Sequence, residues 1–167
     1  MNIRFKITRD LLTTIRADLA RPHPFAHERV GFIAAGLAAA HDDLLILARA
    51  YRPLADDDYL RDASVGAMMG PHAIRRARQW AMDERVATFH VHTHGGHGIP
   101  RFSGVDMREN AKFIPNFVSI APQCVHGAIV LSHTAAYGQV WLVRAGSQPF
   151  IAAFTEVGTP LHGWRAA

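Results

Sequence analysis

Residues 86–110, VATFHVHTHGGHGIPRFSGVDMREN, contain the pattern on which the fold turns. Apolar side chains alternate over 86–92 as in a buried strand, and a glycine-rich turn follows over 95–102. Ser103 then opens a helix that carries Met107, Ala111 and Phe113 and is expected to be interrupted at Pro115. A strand that hands its end to a helix through a flexible turn brings the last residues of the one close to the first residues of the other.

Toward the N-terminus, Ile3, Phe5 and Ile7 predict a strand, and Thr8 predicts the cap of a helix carrying Leu11, Leu12, Ile15 and Leu19. Arg21, Pro22, His23 and Pro24 end it. Two apolar runs, 30–39 and 44–50, flank a turn at His41, Asp42 and Asp43. They read as strand, turn and strand, although the first is rich enough in alanine to be partly helical. Residues 52–70 are polar and irregular, with an acidic run at Asp56, Asp57 and Asp58. Pro71 starts a second helix reaching about residue 84, in which Arg75, Arg76 and Arg78 form a solvated face. Beyond the third helix, further strands are expected over 128–132, 139–143 and 150–154. This order is neither a regular strand-helix alternation nor a meander, so a mixed α/β (α+β) sheet with helices packed against it is the expected fold.

The length of 167 residues fits one domain spanning 1–167, and 49% apolar with 19% charged residues separates the chain from disordered sequences. No repeat, low-complexity tract or linker divides it. The net charge of +4 rests on scattered arginines, with only Lys6 and Lys112 as lysines, which argues against a nucleic-acid footprint. Membrane spans and a secretory leader are not expected, and the lone Cys124 makes a reducing cytoplasm the default location.

Four histidines fall within the eight positions 90–97: His90, His92, His94 and His97. In an extended segment alternate side chains share a face, so His92 and His94 can offer ring nitrogens to one ion ~2.0 Å away. The glycine-rich turn can return Asp106 to the same point as a third ligand. Two neutral imidazoles and one carboxylate leave a zinc ion net positive, with a fourth position for a water whose pKa falls toward ~7. Each residue also has a plainer reading. Ser103 and Asp106 have the spacing of a helix capping box, and histidines at a strand end can be pH-responsive surface groups or hydrogen-bonded core groups.

The combination His92-Thr93-His94 followed by Ser103-Gly104-Val105-Asp106 resembles the zinc motif of the JAMM (MPN-plus) metallopeptidases. That family also carries an upstream glutamate in a Glu-x-x-Gly context before an apolar strand, and Glu28-Arg29-Val30-Gly31-Phe32-Ile33 is similar. The likeness spans about residues 3–145, with specificity only in the motifs. Two departures stand out: the eight residues between His94 and Ser103 are one more than usual, and Gly95 replaces the customary proline. The pair His90 and His92 has the same spacing but would lengthen the loop to ten residues, so His92 and His94 fit better.

The resemblance implies a curved mixed sheet with flanking helices, cytidine-deaminase-like in architecture, and one zinc ion (Zn2+) per chain on His92, His94 and Asp106. It also implies Glu28 as general base and the Ser103 hydroxyl as a donor to the developing oxyanion. His90 becomes a core or supporting group, and His97 an exposed loop residue near substrate. The implied activity is peptide or isopeptide cleavage after the C-terminal glycines of a ubiquitin-like protein, in precursor processing or deconjugation. Residues 52–70 match the region where the family shapes its substrate groove, and the acidic run there either attracts a basic surface or keeps a loop solvated. The alanine and arginine bias is similar to that of bacterial members, which are often encoded beside activating- and conjugating-enzyme-like proteins, including anti-phage systems. A homodimer is one expected state, since members of the fold often pair. A non-catalytic scaffold of the same fold and an amidohydrolase of small amide conjugates are the alternative functions.

Overall fold

The computed structural model describes residues 2–142 and 146–158. Strands β1 (Asn2–Thr8), β2 (Val30–Ala40), β3 (Asp43–Pro53), β6 (Ala87–Thr93), β7 (His126–Leu131), β8 (Ala136–Trp141) and β9 (Ala153–Val157) form one sheet, ordered β8-β7-β6-β2-β3-β1-β9. Pairs β1–β3, β1–β9 and β6–β7 are parallel and the others antiparallel, so the sheet is mixed. Helices α1 (Arg9–Leu19), α2 (Pro71–Glu84) and α3 (Gly104–Ile120) pack on it, and β4 (Tyr59–Leu60) with β5 (Met68–Met69) makes a separate short hairpin. The expected α+β architecture of a mixed sheet with flanking helices is the one observed.

Period-two alternation divides the core between the two sheet faces. Ile3, Phe5, Ile33, Ala35, Phe89 and Val91 join Ile15 and Leu19 of α1 on one face. Phe32, Ala34, Ala73, Ala77, Trp80, Phe113 and Phe117 fill the other, under α2 and α3. His90 and His92 alternate with Phe89 and Val91, so the strand that closes one core with its apolar residues directs its imidazoles toward the other. The sheet also curls strongly. Ile151 N donates to Gly138 O of β8 (3.0 Å), and Ala152 N donates to Ile3 O of β1 (2.7 Å), so one short segment touches strands far apart in the sheet order.

Several sequence expectations need correction. The alanine-rich run is strand throughout, pairing with β3 along its length and with β6 over Val30–Ala35, the part that is buried. Pro115 does not interrupt α3, which runs on to Ile120. Its ~3 kcal/mol penalty is outweighed by burying Phe113, Ile114 and Phe117, each worth ~1.5–3 kcal/mol. Residues 52–70 are not irregular throughout: β3 extends to Pro53, and the hairpin of β4 and β5 follows. Within the acidic run, Asp56 pairs with the buried Arg29 (2.8 Å) and Asp58 with Arg76, so both anchor the segment internally. The last two strands lie at 136–141 and 153–157 rather than at 139–143 and 150–154; Phe150 makes only an isolated bridge to Gln139, and Val143 falls outside the described residues.

Candidate metal centre

Strand β6 delivers His92 near its end, and His94 follows just beyond, its backbone N held by Leu131 O at 2.9 Å. The chain stays extended there, so both rings project from one face. Their Nε2 atoms stand 3.2 Å apart. After His94 the chain turns through Gly96 and Gly98, at φ 95° and 90°, values that favour glycine. The turn is tied to the loop before β8: Gly98 N donates to Thr134 Oγ1 (3.1 Å), Ser132 Oγ donates to Gly98 O (2.6 Å), and His133 N donates to Gly96 O (3.1 Å). The turn is thus held in a defined path.

That path ends at the first turn of α3, where a full capping box forms. Ser103 N donates to Asp106 Oδ2 at 2.7 Å, and Asp106 N donates to Ser103 Oγ at 3.1 Å. The box also places the Asp106 carboxylate against the histidines, Oδ1 3.4 Å from His92 Nε2 and Oδ2 3.3 Å from His94 Nε2. Capping and metal ligation are therefore compatible roles of one residue. Burial pushes the Asp106 carboxyl up, but His92 beside it and the two Ser103 contacts outweigh burial and hold it below the usual carboxylate range.

The three separations, 3.2, 3.4 and 3.3 Å, test whether a cation fits. The two nitrogen–oxygen separations are long for charge-assisted N–H···O bonds, which run ~2.7–2.9 Å. Ligands ~2.0–2.1 Å from a tetrahedral zinc lie ~3.3 Å from one another, and the two imidazole nitrogens have that spacing, while the Asp106 carboxylate reaches them through two different oxygens, Oδ1 toward His92 and Oδ2 toward His94. Nitrogen and oxygen donors of this kind suit zinc.

Glu28 lies in the loop leading into β2 and offers an oxygen within 4.8 Å of a ring nitrogen on both His92 and His94. Two carboxylates thus compete for the third position. Asp106 stands 3.4 and 3.3 Å from the two nitrogens and Glu28 within 4.8 Å of both, so either carboxylate could join the histidines at an ion. Glu28, His92, His94, Ser103 and Asp106 line a cavity of about 490 Å³, together with the apolar Met68, Met69 and Phe113. The Ser103 hydroxyl accepts from Asp106 N and retains its own proton for donation into that space.

His90 is buried one layer back, stacked on His92 at 5.5 Å and edge-on to Phe113, and neither of its nitrogens has a hydrogen-bond partner. Burial drives its pKa down to about 3, so it is neutral. Asp106 lies beside His92 and His94, at 3.4 and 3.3 Å from their Nε2 atoms. His97 is exposed, packs on His133 at 5.1 Å between ring centroids and does not line the cavity. The sequence reading missed Asn110 and Gly66. Asn110 is buried with an unpartnered Nδ2 in the same cavity, and its signal was a polar residue one turn beyond Asp106 on the inward face of α3. Gly66 had no signal, being one small residue in a polar loop.

Compared with known proteins, the chain matches no protein-family model, and no curated protein sequence matches it.

Proposed function

We propose that this chain is a zinc-dependent peptidase or isopeptidase of the JAMM type, with His92, His94 and Asp106 as metal ligands and Glu28 as general base. The observation that supports the reading is the convergence of His92, His94 and Asp106, with ring nitrogens 3.2 Å apart and carboxylate oxygens 3.4 and 3.3 Å from them, and with a second acidic group, Glu28, within 4.8 Å of both imidazoles. Zinc held there supplies Lewis acidity, polarising a substrate carbonyl and acidifying a water toward pKa ~7.

The remaining steps belong to the chain's own residues. Glu28 takes a proton from the attacking water on a carboxylate oxygen and returns it to the departing amine nitrogen as the C–N bond breaks. Ser103 donates its hydroxyl proton in a hydrogen bond to the carbonyl oxygen as that atom gains charge. The apolar wall at Met68, Met69 and Phe113 limits water around the proton transfer.

The substrate proposed is the C-terminal glycine tail of a ubiquitin-like protein, free as a precursor or joined to another protein. Glycine permits the close backbone approach that a recessed centre demands, and an extended tail can pair along the hairpin of β4 and β5. Activating- and conjugating-enzyme-like proteins would be the functional companions in such a system. No helix among the described residues is long and apolar enough to cross a membrane, and the reading assigns the chain to the cytoplasm, where the free Cys124 stays reduced.

The test is mass spectrometry of products after incubation with ubiquitin-like proteins carrying C-terminal extensions or isopeptide-linked lysines, with small amide conjugates in parallel. Cleavage after the terminal glycine is expected with the zinc-loaded protein, while Glu28→Gln should abolish turnover and still hold one zinc per chain. Undiminished cleavage by Glu28→Gln removes Glu28 from the mechanism, and cleavage of the small amides alone replaces the proposed substrate class.

A further inference from the structure

Gly66 lies in the loop between β4 and β5, and its backbone carbonyl accepts hydrogen bonds from His27 N (2.8 Å) and Glu28 N (3.1 Å). A side chain at position 66 would start inside the Glu28 carboxyl group. A Cβ there would stand 2.7 Å from Glu28 Cδ, 2.7 Å from Oε2 and 3.0 Å from Oε1, and these are its three nearest neighbours. Carbon does not pack against those atoms so closely; ordinary contacts begin at ~3.5 Å. The carboxylate therefore occupies the space that a side chain at residue 66 would need.

We propose that Gly66 is a positioning residue for Glu28: its carbonyl fixes the backbone that carries the glutamate, and its missing side chain is the seat of the carboxylate. The proposal rests on the reading of Glu28 as general base. It gives the hairpin of β4 and β5 a task besides lining the cavity, which is to hold the proton-accepting group at its distance from His92 and His94.

A methyl group at position 66 meets only the far end of a flexible side chain. Glu28 can escape it by turning about its own χ angles, at little expense to the fold. The same turn carries the carboxylate on the order of 1 Å from its place, and displacement of that size costs ~10²-fold in rate where a proton must be taken in a fixed geometry. Damage confined to the reaction, with fold and metal intact, distinguishes positioning from a general structural role.

The experiment compares wild type with Gly66→Ala by melting temperature, zinc per chain, a crystal structure of the zinc-loaded protein, and kcat and KM on a cleavable fusion. Gly66→Ala should fold, hold one zinc and show the Glu28 carboxylate swung away from His92 and His94, with kcat lowered on the order of 10²-fold and KM little changed. A crystal structure with Glu28 unmoved overturns the proposal whether or not a substrate has been found, and so does an unchanged kcat. Should Gly66→Ala fail to fold, Gly66→Ala combined with Glu28→Ala removes the carboxyl group the methyl would strike and is expected to fold; failure of that pair also overturns it. A wild type that binds zinc but cleaves nothing refutes the proposed function instead, and the crystal structure still decides the role of Gly66.

Discussion

His126 is fully buried beneath α3, where Thr88 N donates to its Nδ1 (3.2 Å) and its Nε2 proton is donated to Ala121 O (3.1 Å). Those two bonds require the neutral Nε2–H tautomer, because a proton on Nδ1 would face another N–H. Burial lowers the His126 pKa, and the same cause takes His90 down to about 3. Both groups are neutral in the folded chain at pH 7. Below the ordinary value of ~6.5 the unfolded chain binds protons that the folded chain refuses, so stability falls with pH across that window and is fully present above it. The melting temperature should therefore decline from pH 7 to pH 5. His126→Gln, which keeps one donor and one acceptor but cannot titrate, should show a shallower decline, with His90 still contributing. An identical slope in the variant would show that His126 is not one of the groups responsible.

At the scale of elements, the N-terminus of α3 combines a structural and a chemical task. The capping box satisfies backbone groups at the helix start, and the same hydrogen bonds orient the ligand carboxylate. Ser103→Ala should cost about 1 kcal/mol of stability through the lost cap and lower the rate by ~10²–10³ through the lost donor. Ser103→Thr keeps the hydroxyl and should retain most of both. Thermal melts beside turnover numbers check this, and a rate loss no larger than the stability loss explains would leave Ser103 as a cap alone. The sequence made this element legible because serine and aspartate at that spacing have few other uses. By contrast, the continuation of α3 through Pro115 was not legible: local propensity forecasts a break, and only the packed sheet beneath Phe113, Ile114 and Phe117 reverses the balance. The hairpin of β4 and β5 was hidden for a related reason, since strands of two residues have no measurable alternation.

Across the whole molecule, the fold class followed from the order of apolar patterns, because β1, α1, α2 and β6 carry a clear period and the runs of β2 and β3 are set apart by the turn at His41, Asp42 and Asp43. The curl of the sheet, which the resemblance implied, did not follow from those patterns, since the segment before β9 bonds to both β8 and β1, contacts between positions distant in sequence. The grouping of His92, His94 and Asp106 was legible because they lie within fifteen residues and a glycine-rich turn can bring the strand end to the helix start. Glu28 needed the long-range pairing of β2 with β6, in which Val30 stands opposite His92, to come within reach of them. All of the chemistry proposed depends on a cation occupying the point where two strand-end imidazoles meet the head of α3. Zinc analysis by inductively coupled plasma mass spectrometry of the purified chain and its His92→Ala and Asp106→Ala variants tests this most directly. One zinc per chain in wild type and none in either variant is the expected result; a wild type that takes up no zinc, or a His92→Ala variant that retains it stoichiometrically, would contradict the account.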